Sequence, residues 1–501
     1  MCEGDFNMTQ TDNQVRQGKR QHPLWIVFSV GKSIKEVIIP IIYFFLINMN
    51  SDSSFVKYGS LALIAYMIYR LITILFSWKN YKYVITDKNI ELTEGRLKTE
   101  KRYISLDRIQ SIQQNTSFFH RLVGLTSLTL LTGTTDNNAS VKMDAITVVE
   151  AENIRGQLDP SQDIEKAEME SQTKTKLNLV EDMLQIDEPT KHYEMTRKEI
   201  VKASLTSFYF LAPLPFLLAI YSKVEDFFSI DDFAEDVLHT LNLTWITITI
   251  IVIMAILLSV IIGVAITYLQ YGNFQTSSNQ ERVFIRKGVL SETNFSIPKN
   301  RINAIKFNKS LIRRWVKMVK VELVSAGSFD DSAAQTNVLL PFISEKRAMQ
   351  LIPEILPDFQ IHTDMTKLTR AAFWTNLLKP SYLWIAATAA VLYFWPAFWY
   401  LSLVLLVLII ILRITDFHHS GYALHGAYIQ LQSGTFSTEL FLTTKKKVAE
   451  MKITESWLQR RLGLATLSIS TRAKPIQVTS ITDIPKAAAM KYYHWYATRK
   501  Q

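Results

Sequence analysis

The chain has 501 residues, 48% of them hydrophobic and only 20% charged, with 27 Phe, 20 Tyr, 10 Trp and a net charge of +10. Its apolar residues gather in blocks too long for soluble core helices, which excludes a purely soluble protein, and a single cysteine, Cys2, excludes a disulfide framework or a Cys-based zinc site. Beside apolar spans, the basic balance reads as cytoplasmic flanks rather than a nucleic-acid surface.

The polar start, MCEGDFNMTQTDNQVRQGKR, has no apolar h-region, so no cleavable signal peptide is expected and residues 1–33 read as a tail. Two spans are plain: Tyr58 to Trp78, and Leu241 to Leu269, each sufficient for a crossing of about 20 residues. Two weaker blocks pair with them as first legs of hairpins: Val37 to Met49, which holds Pro40, and Leu205 to Ser222, which holds Pro213 and Pro215. Tyr382 to Leu412 is either one kinked helix or two short ones turning at Trp395-Pro396. Two are chosen, the first beginning near Phe373, because this keeps the last soluble part on the side of the others.

Lys32, Lys35, Lys79, Lys82, Arg197, Lys198, Lys202, Lys367, Arg370, Lys379 and Arg413 flank these blocks, whereas the loop KVEDFFSIDDFAED inside the second hairpin is acidic. Positive flanks place both termini and the large soluble parts in the cytoplasm of a multi-pass membrane protein. The expected order is hairpin 34–78, domain 79–157, linker 158–195, hairpin 196–270, domain 271–360, hairpin 361–414 and domain 415–501.

The soluble parts repeat. Stretches of 36 residues from Gly95, Gly288 and Gly434 align without a gap, at offsets of 193 and 146. Each glycine follows a short apolar strand (IEL, VFI, IQL) where a turn needs positive φ. A basic residue follows at Arg108, Arg301 and Lys447. Next come apolar positions, then a serine (Ser117, Ser310, Ser456) before a large apolar residue (Phe118, Leu311, Trp457). Three residues later stands Arg121, Arg314 or Arg460, before an alternating strand. Each unit closes with a helical stretch: VVEAENIRGQL, SEKRAMQLIPEI or IPKAAAMKYYHWYA. Lys317 stands where the other copies have Gly124 and Gly463, which leaves an equivalent turn there open.

This pattern resembles the bacterial membrane-flanked domain, a pleckstrin-homology-like (PH-like) β-sandwich, and the whole chain resembles YdbT-type multi-pass proteins with three such domains. The resemblance implies an α + β membrane protein of about six transmembrane helices in three hairpins, each followed by a cytoplasmic PH-like β-sandwich with a C-terminal helix. It further implies a second membrane protein with a single PH-like domain as partner, and a role in protecting the bacterial envelope against membrane-active agents. It supplies no reaction and no cofactor.

Two readings of the Trp–Arg cluster remain open. In one, the apolar residue plugs the sandwich while the arginine pairs with a carboxylate or caps a carbonyl. In the other, Arg121, Arg313, Arg314, Lys317, Lys320, Trp457, Arg460 and Arg461 contact a partner or anionic lipid. Arg70, a charge inside an apolar span, is either functional or snorkels to the surface. Catalysis is not expected: VGKSI at 30–34 has Ile26 where a P-loop needs its first glycine, and His418, His419 and His425 fit no metal spacing. The resulting expectation is a non-enzymatic membrane scaffold, with a transporter or exporter component as the alternative.

Overall fold

The computed structural model describes residues 18–42, 44, 53–86, 89–96, 98–132, 140–158, 189–206, 245–325, 337–472 and 476–498. The chain forms two compact units, Met1–Leu179 and Val180–Gln501.

In the first unit, α1 (Leu24–Ile41) packs on α2 (Ser54–Asn80). The helix α1 starts ten residues ahead of the expected hairpin and absorbs VGKSI, so that Gly31 and Lys32 are helical. At 27 residues, α2 is about 40 Å long, enough for the hydrocarbon core. Its large apolar side chains point outward, Leu61 at 63% exposure and Ile72 at 48%. After it comes an antiparallel meander of β1 (Lys82–Ile85), β2 (Asn89–Gly95) and β3 (Thr99–Ser105), with β3 at the sheet's edge. Gly95 has φ +142°, and a Cβ there would lie 2.0 Å from the Lys98 carbonyl oxygen, so only glycine fits this turn.

The chain continues through β4 (Ile109–Thr116), α3 (Phe118–Leu122), β5 (Leu125–Thr132), β6 (Ser140–Thr147) and α4 (Val148–Leu158). Alternating strand residues give one core from both sheets and the closing helix: Ile90, Leu92, Leu128, Leu130, Val141, Met143, Ala151 and Ile154. Each fully buried Leu or Ile contributes about 1.5–3 kcal/mol.

The second unit holds two further copies. The first runs β7 (Thr190–Glu194), α5 (Arg197–Thr206), α6 (Trp245–Tyr271), β8 (Gln275–Ser278), β9 (Arg282–Lys287) and β10 (Glu292–Pro298). It continues as β11 (Ile302–Lys309), α7 (Leu311–Trp315), β12 (Met318–Ser325), β13 (Val338–Ser344) and α8 (Glu345–Ile355). Of the expected linker, residues 159–188 lie outside the described residues, while Thr190–Glu194 is the strand β7. The proposed leg Leu205 to Ser222, beyond Thr206, and the acidic loop also lie outside them.

The last copy has β14 (Thr366–Lys367), α9 (Arg370–Leu378), α10 (Tyr382–Phe394), α11 (Tyr400–His419), β15 (Gly421–His425), β16 (Tyr428–Ser433) and β17 (Thr438–Thr444). It closes with β18 (Val448–Thr454), α12 (Trp457–Arg461), β19 (Leu464–Thr471), β20 (Val478–Pro485) and α13 (Lys486–Ala497). Residues 382–412 thus form two helices with their turn at Trp395–Pro396. The legs are joined by Trp384 Nε1 donating to the Ser402 carbonyl at 3.0 Å and by Thr388 and Ser402 hydroxyls 2.6 Å apart. With α9, the first leg reaches from Arg370 to Phe394, which resolves its apparent shortness.

The two copies in this unit are not separate sandwiches. The strand β11 of one pairs antiparallel with β17 of the next, Ile305 opposite Leu442 and Phe307 opposite Leu440, so that a single seven-stranded sheet runs through both. Leu440 and Leu442 are buried in the core of the preceding copy.

A second recurrent device sits at the base of the helices. Lys19 and Tyr83 exchange two backbone hydrogen bonds of 2.9 Å, β7 pairs with β8, and β14 pairs with β15. In each case the segment before the helices is joined to the first strand after them.

The turn at Lys317 is retained. Its φ is +55°, beside +68° at Gly124 and +66° at Gly463. The fold imposes the left-handed conformation on a lysine, at a cost of about 1 kcal/mol. Lys317→Gly is therefore expected to stabilise the protein by up to about 1 kcal/mol, read as a higher melting temperature in detergent; an unchanged or lower value would contradict this.

Candidate interface of the repeated short helices

The motif that ends in arginine folds as a five-residue helix in every copy: α3, α7 and α12. Serine starts each one because its side chain can accept from an otherwise unpaired helix N–H. Ser117 accepts from His120 N, and Ser456 forms a full capping box with Gln459, whereas Ser310 makes no such bond. The apolar residue after the serine does not plug the sandwich. Phe118 is 51% exposed, Trp457 67%, and Leu311 is half-buried. Each stands at the first position of a helix whose ends are fixed by flanking strands, which turns it outward.

The arginines differ by copy. Arg314 is half-buried and holds two copies together. Its Nη1 lies 2.5 Å from His419 Nε2 at the end of α11, and its Nη2 lies 3.4 Å from the carbonyls of Thr435 and Phe436 in the turn after Gly434. His419 Nδ1 is 2.6 Å from the Thr415 carbonyl, so the ring proton sits on Nδ1 and Nε2 accepts from Arg314. Arg313 lies over the Phe342 ring at 4.6 Å. Lys320 pairs with Glu322 on its own strand.

On α12, Arg461 stacks on Trp457 at 4.1 Å, while Arg460 is 74% exposed and only 4.0 Å from Glu455. Arg121 is exposed on α3. The eight candidate residues therefore do not converge. Arg313, Arg314 and Lys320 serve the fold, Lys317 makes a turn, and Trp457, Arg460 and Arg461 form an open patch.

Arg70 has a partner that composition did not reveal. Its Nη2 contacts Glu36 Oε2 at 3.0 Å and the Ser33 hydroxyl at 3.1 Å, both on α1. A cavity of about 40 Å³ beside it is lined by Ser33, Val37, Tyr66, Met67 and Ile74. Glu36 was legible as the carboxylate opening the apolar run, but only helix pairing aligns it with a residue 34 positions away.

The base of the helices α10 and α11 is fixed by Asp483, which is 1% exposed. Lys379 Nζ reaches its Oδ2 at 2.6 Å, and Gln459 Nε2, from the capping box, donates to its Oδ1 at 2.8 Å. A β-bulge in the β19–β20 ladder lies beside it, and bulges recur at the matching places in β5–β6 and β12–β13. At the first of these, His22 N donates to the Ala145 carbonyl at 2.9 Å, and Trp25 Nε1 lies 3.4 Å from Asp144 Oδ2. The three histidines do not meet in one place: His419 is held by Arg314, and His425 stacks on His362 at 4.3 Å.

A family described as the bacterial PH domain matches residues 36–162, 227–358 and 381–500, most of the chain and once per copy. The chain belongs to the bacterial PH domain family. The UPF0699 transmembrane protein YdbT of Bacillus subtilis (strain 168) is 24% identical over 489 residues, which are 96% of this chain and 98% of its own. No solved structure matches. A membrane protein with three repeated bacterial PH-like domains follows from these matches and from three helices, among the described residues, apolar and long enough to cross a bilayer: Ser54–Asn80, Arg370–Phe394 and Pro396–His419.

Proposed function

We propose that this bacterial PH domain protein is a non-enzymatic scaffold in the bacterial cell membrane. Three hairpins, six helices in all, hold three PH-like domains at the cytoplasmic face, where the domains bind one another, a second membrane protein with a PH-like domain, or anionic lipid head groups.

The observation that carries this reading is the strand pairing at the base of the helices. A chain whose segments before and after a set of helices are hydrogen-bonded to each other must cross the bilayer an even number of times between them. The pairs Lys19–Tyr83, β7–β8 and β14–β15 thus support three returns to one side. The basic flanks assign that side to the cytoplasm. Binding between domains finds support in the β11–β17 pairing, which already joins two of them through backbone. The charge inside the helices argues for anchoring rather than transport, since Arg70 is neutralised by Glu36.

The test is thiol accessibility. In a Cys2→Ser background, single cysteines at the exposed positions Lys98, Glu281 and Lys446 report on the three domains in turn. A membrane-impermeant thiol reagent is expected to label none of them in intact cells and all of them after permeabilisation. Labelling of any one from outside would overturn the common-side topology.

A further inference from the structure

The joint between the second and third domains has a repeat-related counterpart that is left open. The offset of 146 residues carries β11 onto β18, and the combined offset of 339 carries β17 onto β3. Whereas β11 and β17 pair, β18 and β3 are each the last strand of their sheet. Their backbone donors and acceptors along one side are available for a ladder.

We propose that β18 of one copy of this chain pairs with β3 of a second copy, in the register by which β11 pairs with β17. Three observations beyond the open edges support that occupant. The first is charge. The existing joint carries an ion pair between Lys306 and Glu439 at 2.8 Å, and the same shifts give Lys452 and Glu100. Both are exposed, and neither has an ion-pair partner among the described residues. Arg102, directly opposite Lys452 in this register, is already neutralised by Glu94.

The second is burial. Leu442 is fully buried in the joint, and the residue equivalent to it, Tyr103, is 67% exposed. Ala304 is likewise buried, and its equivalent Glu450 is exposed. The third is the helix beside the edge. Arg460 on α12 stands where Arg314 stands on α7, and the turn after Gly95 takes the place of the turn after Gly434 that Arg314 holds. The open Trp457–Arg461 patch is thus the uncovered version of the joint that the chain makes between its second and third copies.

Pairing of β18 with β3 is heterologous, so it propagates from copy to copy and yields a closed ring or a row confined to the membrane plane. It rests on the scaffold reading only in requiring β3 and β18 on one side of the membrane, which the accessibility assay tests separately.

The experiment uses full-length protein in membranes, in the Cys2→Ser background. Two forms with different tags are co-expressed, one with Glu450→Cys and the other with Ile104→Cys, and treated with a short bis-thiol linker. The register places these two positions opposite each other. A cross-tag product is expected, several-fold weaker when Glu100→Cys, four residues out of register, replaces Ile104→Cys. At low salt, Lys452→Glu is expected to lower the yield at least threefold, and Lys452→Glu with Glu100→Lys to restore it.

The proposal is overturned if no cross-tag product forms although both cysteines react with a monofunctional reagent. It is also overturned if the yield ignores register, or if the linker joins Glu450→Cys to a different protein. The last outcome would assign the edge to another partner.

Discussion

Asp483→Ala is expected to lower the stability of the third domain by about 2–4 kcal/mol, the loss of hydrogen bonds to a buried carboxylate plus the cost of alanine at a left-handed φ, the Lys379 left behind being 37% exposed. The substitution acts at three points. Lys379 loses a 2.6 Å partner at the break between α9 and α10, Gln459 loses the acceptor that holds the capping box, and alanine must take the left-handed φ of +62° beside the bulge of the β19–β20 ladder. Asp483→Asn tests the division of roles. Asparagine tolerates the φ of +62° and keeps an acceptor for Gln459, so it should cost roughly half as much. Lys379→Met combined with Asp483→Asn should cost less than the sum of the two, because the second change no longer breaks an ion pair. Thermal unfolding in detergent, with proteolysis to locate the loosened region, reads these effects. An Asp483→Ala protein as stable as the parent would show that the membrane helices do not depend on this anchor.

Lys287→Met is expected to stabilise the second domain by about 3 kcal/mol at neutral pH. Lys287 lies on β9 at 7% exposure, and burial first, then the nearby Lys320, pushes its pKa down to about 8. The sign follows from the protons bound. Below about pH 8 the lysine is charged in both folded and unfolded chains, and the folded state holds that charge against burial and the nearby Lys320. Between about 8 and the ordinary lysine value of 10.5, the unfolded chain holds the proton that the folded one has released, so stability rises with pH across that window. A shift of this size corresponds to about 3 kcal/mol. The melting temperature of the parent should therefore increase from pH 7.5 to 9.5 relative to Lys287→Met, whose own profile lacks this rise. Parallel profiles would mean that the lysine reaches solvent in the folded state.

The repeat was legible because turns and cores restrict residue type. Gly95, Gly288 and Gly434 recur since a Cβ at any of them would meet a carbonyl oxygen at 2.0 Å, and the alternating strands recur since one face fills the sandwich. The turn at Trp395-Pro396 was legible because the block, about 46 Å long as one helix, is too long for a single crossing and proline disfavours a continuous helix at its middle. Whether the turn persists at Lys317 was not legible, because the preference for glycine in the left-handed region is worth only about 1 kcal/mol, which the surrounding fold overrides. The β11–β17 joint was not legible at all. It is made by backbone groups that every residue carries, between strands more than a hundred residues apart, and side-chain patterns record only that each strand is apolar. The arginines show the same limit from the other side. Arg314 and Arg460 look alike in sequence, yet one is enclosed and the other open, because enclosure depends on which edge a neighbour has taken.

Joining the segment before each set of helices to the strand after it also fixes an order of assembly. Lys19 must wait for Tyr83, 64 residues later, which at roughly 5–20 residues per second is several seconds of synthesis. On the proposed hairpin topology, the intervening helices must in that interval leave the ribosome and turn back, since otherwise Tyr83 emerges on the wrong side of the bilayer and the first sheet lacks its brace. The same condition is set again at β14 and β15. On that topology each domain closes only over helices inserted as a returning pair, so a failed insertion is converted into an unpaired strand at the membrane surface, the kind of exposed edge that chaperones and proteases recognise.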